Sequence, residues 1–248
     1  MSKSNSVVLW EGPSLIDGKP LVVVATRGSK NGKTGDMLQT WVLRADIEPH
    51  EAVKTGDDSS ICGTCPHRGD GTGKGRTCYV MVHNAPLSVY RAYKRGSYAT
   101  LAPSELATYG EGLAVRLGAY GDPLAVPLAV WEALTSRAAS STGYSHLWDG
   151  EGVDTARAAR LVMASADSLG DAARAKAKGF RYFRTRDLGE AVAADEINCP
   201  SEQGVECADC GLCSGTQRAK ARSVSIELHG GIAVIANLKK QGRVIVTG

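Results

Sequence analysis

From residue 113 onward the chain alternates between short apolar runs and Ala-rich, helix-forming runs, and this alternation limits the possible folds more than any other feature. "LAVRLGAYGD" (113–122) is an apolar strand running into a Gly-rich turn, and "PLAVPLAVWEALTSRA" (123–138) is a helix with Pro123 in its first turn. "YSHLW" (144–148) is the next strand and "DTARAAR" (154–160) a short helical segment. "LVMASAD" (161–167) is a strand, Ser168 a helix cap, and "LGDAARAKAKG" (169–179) a helix closed by Gly179. "FRYFRTR" (180–186) is a strand, and "EAVAADEIN" (190–198) leads into Cys199. Strands joined through helices pair in parallel with right-handed crossovers, so the pattern predicts an α/β chain on a parallel sheet.

The pattern is less regular upstream. "KPLVVVATR" (19–27) and "LQTWVLRADI" (38–47) read as strands, and "APLSVYRAYKRG" (85–96) as a helix ended by Gly96. Between the two strands, "GSKNGKTGD" (28–36) is a polar loop that fails the G-x-x-x-x-G-K-[ST] phosphate-loop spacing. The expected division is an irregular N-terminal strand and loop region, residues 1–37, and an α/β body, residues 38–248.

Polar groups recur where the expected strands end. Tyr120 and Asp122, Ser145 and His146, Ser165 and Asp167, Arg184 and Arg186, Cys199 and His229 all fall there. The carboxyl ends of parallel strands line active sites in such folds. His146, Arg184, Arg186 and His229 are therefore the candidates for holding a polar or anionic substrate, with His146, Arg184 and His229 the catalytic candidates.

All seven cysteines lie in two loops. Cys62, Cys65 and Cys78 read C-x2-C-x12-C, and Cys199, Cys207, Cys210 and Cys213 read C-x7-C-x2-C-x2-C. The odd count and the start "MSKSNSVVLWEGP", which lacks a signal-like apolar run, speak against a disulfide framework and for a reducing, cytoplasmic setting. Metal is the remaining use for clustered thiols. The C-x2-C-x2-C core resembles the run that wraps a [4Fe–4S] cluster in bacterial-type ferredoxins, with Cys199-Pro200 placed upstream of the core. Zinc stays open as the alternative at either set, with His67 or His83 as a fourth ligand upstream. Both loops follow strands, so both sets are expected at the carboxyl end of the sheet.

Composition excludes some classes. The formal net charge of +3 does not by itself argue for nucleic acid, and the longest apolar runs are short and contain Pro and Glu, so no membrane span is expected. Two basic stretches, "YRAYKRG" (90–96) and "QRAKARS" (217–223), keep open a non-catalytic, metal-stabilised module that binds nucleic acid or protein.

The order strand, cysteine loop ending in "CY", helix, strand, "GAYGDP", helix, strand resembles the radical S-adenosylmethionine enzymes. That resemblance implies a partial (β/α) barrel. It also implies a [4Fe–4S] cluster on Cys62, Cys65 and Cys78 whose open iron takes S-adenosylmethionine. Gly121, Asp122 and Pro123 would match the family's Gly-Gly-Glu-Pro motif, and Ser165 or Asp167 its ribose-holding groups. The family's usual loop is C-x3-C-x2-C, which this chain replaces with a longer spacing. "CPHR…CYV", "RLGAYGDP", "YSHLW" and "MASAD…GFRYFR" also look like uncharacterised bacteriophage and plasmid proteins, which implies a host-cell cytoplasm. The expected function is a redox enzyme with one or two clusters, an electron donor as partner, and a small-molecule or nucleotide-like substrate.

Overall fold

The computed structural model describes residues 6–28, 31–218 and 221–242. Parts of the polar loop at 28–36 and of the basic stretch at 217–223 lie outside these residues. The strands are β1 (Ser6–Pro13), β2 (Pro20–Thr26), β3 (Leu38–Arg44), β4 (Ala99–Thr100) and β5 (Ala114–Tyr120). They continue as β6 (Ser140–Ser145), β7 (Met163–Ala166), β8 (Tyr182–Arg186), β9 (Glu196–Asn198) and β10 (Ser223–Glu227). They form one sheet in the order β4-β1-β2-β3-β5-β6-β7-β8-β10-β9. Every pairing from β3 to β9 along that order is parallel, so the chain is α/β with a large, mostly parallel sheet.

The N-terminal region, expected to be irregular, contributes β1 and β2. They pair antiparallel with each other, and β2 continues antiparallel onto β3. β1 is hard to see in the sequence because Val7, Val8 and Leu9 are buried in succession and the register shifts between Val8 and Trp10. A bulge of this kind removes the period-two signal. β2 is buried from Leu21 to Ala25, as a continuous apolar run in a covered strand should be.

Two expected elements differ from their sequence patterns: one is broken, and the other starts earlier, at Ser140. The helix after β5 breaks at Pro127 into a 3-10 turn, Pro123–Ala125, and a helix, Leu128–Thr135. There Trp131 is fully buried and its indole donates to the Pro123 carbonyl at 2.8 Å. "YSHLW" stops being a strand at Ser145, and His146 opens a tight turn. Helices Pro49–Thr55 and Ile232–Lys240 were not expected from the sequence. No helix among the described residues is long and apolar enough to cross a membrane.

The turn after β5 is set by two glycines. Gly118 and Gly121 have φ of 66° and 75°. A Cβ on Gly121 would lie 2.6 Å from the Val42 carbonyl oxygen of β3. Gly121→Ala is expected to cost at least ~2 kcal/mol, from left-handed strain together with displacement of β3. A urea midpoint equal to that of the parent chain would contradict this.

Candidate metal and cofactor sites

The upstream cysteines sit in a loop that folds back on itself. Cys62 ends a short helix, Ser59–Cys62, and the Cys65 amide donates to the Cys62 carbonyl at 3.1 Å. The long spacer to Cys78 is a closed excursion. The Asp70 amide donates to the Lys74 carbonyl, and the Asp70 carboxylate accepts from the Thr72 and Lys74 amides. The Thr77 and Cys78 amides then donate to the His67 carbonyl at 3.2 and 3.1 Å, which returns Cys78 to the first two cysteines. Buried Asp58 anchors the loop through Arg68, at 2.6 Å, and Arg76, at 3.7 Å. The Asp122 amide donates to the Ile61 carbonyl at 2.6 Å and ties the loop to the end of β5.

Burial pushes the Cys62 thiol well up, and the charges of Cys65 and Cys78 push it further. Burial and Cys62 also raise the Tyr120 hydroxyl, which is buried without a hydrogen-bond partner among the described residues.

Beside this loop, three groups from distant segments meet. His67 Nε2 lies 3.0 Å from Asp167 Oδ1, and His146 Nε2 lies 3.1 Å from Asp167 Oδ2. Burial acts against charge on His146, but Asp167 and the Cys65 thiolate outweigh it and hold the imidazolium up to about 10. Burial acts to raise the Asp167 carboxyl, but hydrogen bonds from His146 and His67 outweigh it and hold it well below the carboxylate range.

The sign of the resulting pH dependence follows. A histidine raised above its unfolded value stabilises fully below about pH 6.5 and loses that contribution as pH climbs to the folded value. The lowered carboxyl contributes above about pH 3.9 and stops contributing only in strong acid. Metal-free protein is therefore expected to lose stability from about pH 6.5 toward pH 10. In Asp167→Asn the His146 midpoint should fall by about one to three pH units in a proton NMR titration. A midpoint unchanged by this substitution would contradict the pairing.

The other expected site residues divide into two groups. Asp122 is at this rim, but its carboxylate serves the backbone: Oδ1 accepts from the Leu124 amide at 2.9 Å. Oδ2 accepts from the His146 and Leu147 amides at 2.8 and 3.2 Å. Gly121 forms the turn beside it, and Ser165 lies on β7 with its carbonyl accepting from the Trp148 indole at 2.9 Å.

Arg184 and Arg186, on β8, have their guanidinium groups committed to other protein groups. Arg184 is buried and bonded to Glu196, at 2.6 and 2.9 Å, and to Glu190 at 2.6 Å. Arg186 is held by Ser225, Asn198 and the Glu190 carbonyl. His229 stacks on Tyr79, the residue after Cys78, with ring centroids 5.0 Å apart, and accepts from Lys33 Nζ at 2.9 Å.

The downstream cysteines converge as well. Cys199, Cys207, Cys210 and Cys213 all line one small pocket, walled by Thr142, Tyr144, Val205, Leu212 and Val224. Burial pushes the Cys213 thiol up to about 12, partly offset by a hydrogen bond from Tyr144. The Thr142 hydroxyl is buried here without a partner among the described residues.

The downstream loop does not stay at the carboxyl end of the sheet: Cys199 follows the carboxyl end of β9, with its amide on the Ser225 carbonyl at 2.8 Å, and the rest of the loop runs back along the strands. The Cys207 and Ala208 amides donate to the Lys33 and Thr34 carbonyls, just before β3. The Cys213 carbonyl accepts from the Gly143 amide, and Arg181, just before β8, donates to the Leu212 and Gly215 carbonyls. The loop therefore reaches the amino ends of the strands, whereas His67, His146 and Asp167 mark the carboxyl ends. The cause is topological. β9 and β10 are parallel neighbours, so their connection must cross from the carboxyl end of one to the amino end of the other.

Among the described residues, the one group that brings three donor atoms within 4.8 Å of one another is His67, His146 and Asp167. Neither cysteine set does so. The sequence reading placed His146 and Asp167 at strand ends but did not join them to His67. The signal was present in "CPH", which puts a histidine two residues after a candidate ligand. No family model, curated protein or solved structure matches the chain.

Proposed function

We propose that the chain is an iron–sulfur redox enzyme on a partial (β/α) barrel, acting on a polar or nucleotide-like substrate at the carboxyl rim. The observation that carries this reading is the downstream pocket, lined by four cysteines of which no three bring their sulfurs within 4.8 Å of one another. A tetrahedral zinc site holds its thiolates about 3.8 Å apart, from bonds of about 2.3 Å. A wider spread suits a polynuclear cluster. Thiols raised by burial ionise readily only next to a cation, and the partnerless Thr142 hydroxyl is available to donate to a cluster sulfur.

Cys62, Cys65 and Cys78 would hold a second cluster, with Tyr120 as the partnerless hydroxyl beside it. Three thiolates leave one corner for a non-protein ligand, and S-adenosylmethionine is the ligand proposed there. A bound cluster would supply one-electron transfer. The chain's own part is positional: Asp122 fixes the His146 turn and so sets the imidazole beside Cys65. The catalytic roles expected for Arg184 and His229 receive no support from their contacts.

Anaerobically purified protein should contain iron and acid-labile sulfide. Cys210→Ser should lose the iron of one cluster and unfold more easily, because metal binding contributes folding free energy. Adding S-adenosylmethionine to reduced protein should alter the electron paramagnetic resonance signal, and this response should vanish in Cys65→Ser. Stoichiometric zinc without sulfide would overturn the reading in favour of a non-catalytic, metal-stabilised binding module.

A further inference from the structure

We propose that His67, His146 and Asp167 form a mononuclear site for a first-row divalent cation, next to Cys65 but with no thiolate among its ligands. The three residues arrive from different segments: His67 from the cysteine loop, His146 from the end of β6 and Asp167 from the end of β7. Such convergence of two imidazoles on one carboxylate is the two-histidine–one-carboxylate donor set that binds iron(II) or zinc with open positions.

The dimensions fit. Metal–donor bonds of about 2.0–2.2 Å place neighbouring donors roughly 3–3.5 Å apart. The two ring nitrogens stand 3.0 and 3.1 Å from the two carboxylate oxygens. The rings meet edge to face at 5.3 Å between centroids, so they approach the carboxylate from different directions.

An outer layer of contacts holds the ligands in place. His67 Nδ1 lies 2.8 Å from the hydroxyl of buried Thr77. When Nδ1 donates there, Nε2 presents its lone pair inward, as metal-bound histidines are generally held. His146 is fixed through its amide by Asp122, and the Asp167 amide donates to Asp171 Oδ2 at 3.1 Å. The side chains of His67, His146 and Asp167 keep 14%, 21% and 20% exposure, enough for water or substrate to complete the coordination.

Cobalt(II) alone, titrated into anaerobic protein and its variants, tests the site. The parent chain is expected to bind one cobalt beyond the metal of the cysteine sets, with ligand-field absorption and no sulfur-to-cobalt charge-transfer band. Asp167→Asn and His67→Gln should each weaken binding by at least about tenfold, and Thr77→Val by about 10- to 100-fold, with iron and sulfide content unchanged. Should Asp167→Asn fail to fold, His67→Gln and Thr77→Val still decide. Equal cobalt affinity in the parent and these variants would overturn the site, leaving a hydrogen-bonded triad. A sulfur-to-cobalt band would overturn it in favour of cysteine ligation. Because iron and sulfide are counted separately, a protein without clusters that still binds this cobalt refutes the proposed function and supports the site.

Discussion

Arg184→Ala is expected to lower the unfolding free energy by ~3–5 kcal/mol in urea titrations, the largest single-residue loss outside the cysteines. The guanidinium is buried, and its ion pairs with Glu196 at 2.6 Å and Glu190 at 2.6 Å replace its hydration. Glu196 is equally buried, so truncating Arg184 strands a carboxylate in the sheet. Burial acts against charge on both partners, yet their mutual hydrogen bonds hold the arginine above and the glutamate below their ordinary values. Arg184→Met with Glu196→Met removes both charges and should recover much of the loss, since apolar replacements of buried pairs are often near neutral. A single variant costing less than ~1 kcal/mol would show that the pair is solvated.

Asp122→Asn is expected to destabilise by ~1–3 kcal/mol despite its near-identical shape, and to weaken cobalt binding at the histidine site as well. Both carboxylate oxygens accept from backbone amides, Leu124 on one side and His146 with Leu147 on the other. An asparagine offers one acceptor oxygen, so its amide nitrogen must face a backbone N–H. The favoured flip keeps whichever side has the better geometry and leaves the other buried donor unsatisfied. If the His146 side is lost, the ring moves away from Asp167. A parent-like melting curve together with parent-like cobalt affinity would refute this role.

The parallel body was legible because its strands are short apolar runs separated by capped helices; Ser168 does accept from the Asp171 amide at 3.0 Å, as a cap should. At the N-terminus β2 was legible as an apolar run and β1 was not, because a bulge hid its alternation. Strand-end position put His146, Asp122 and Asp167 among the candidates, and the structure brings His146 and Asp167 into contact. Position alone could not distinguish them from Arg184, because an arginine at a strand end reads the same whether it faces a ligand or a glutamate twelve positions later. The course of the downstream loop back along the sheet was hidden for a different reason. The reading followed the loop from where it begins, at Cys199, whereas its course is dictated by where it must end, at the amino end of β10.

That crossing loop has a consequence for the order in which the molecule is completed. Its amides grip Lys33 and Thr34 in the first part of the chain, its carbonyls meet Gly143 and Arg181 in the middle, and it delivers β10 between β8 and β9. Those long-range contacts cannot form until nearly all of the chain has been synthesised, and contacts of high sequence separation are slow to close. A cluster assembled on Cys199, Cys207, Cys210 and Cys213 would therefore act as a late staple. Starvation for iron during synthesis should then show itself first as proteolytic nicking between residues 199 and 222, with β1–β8 still protected.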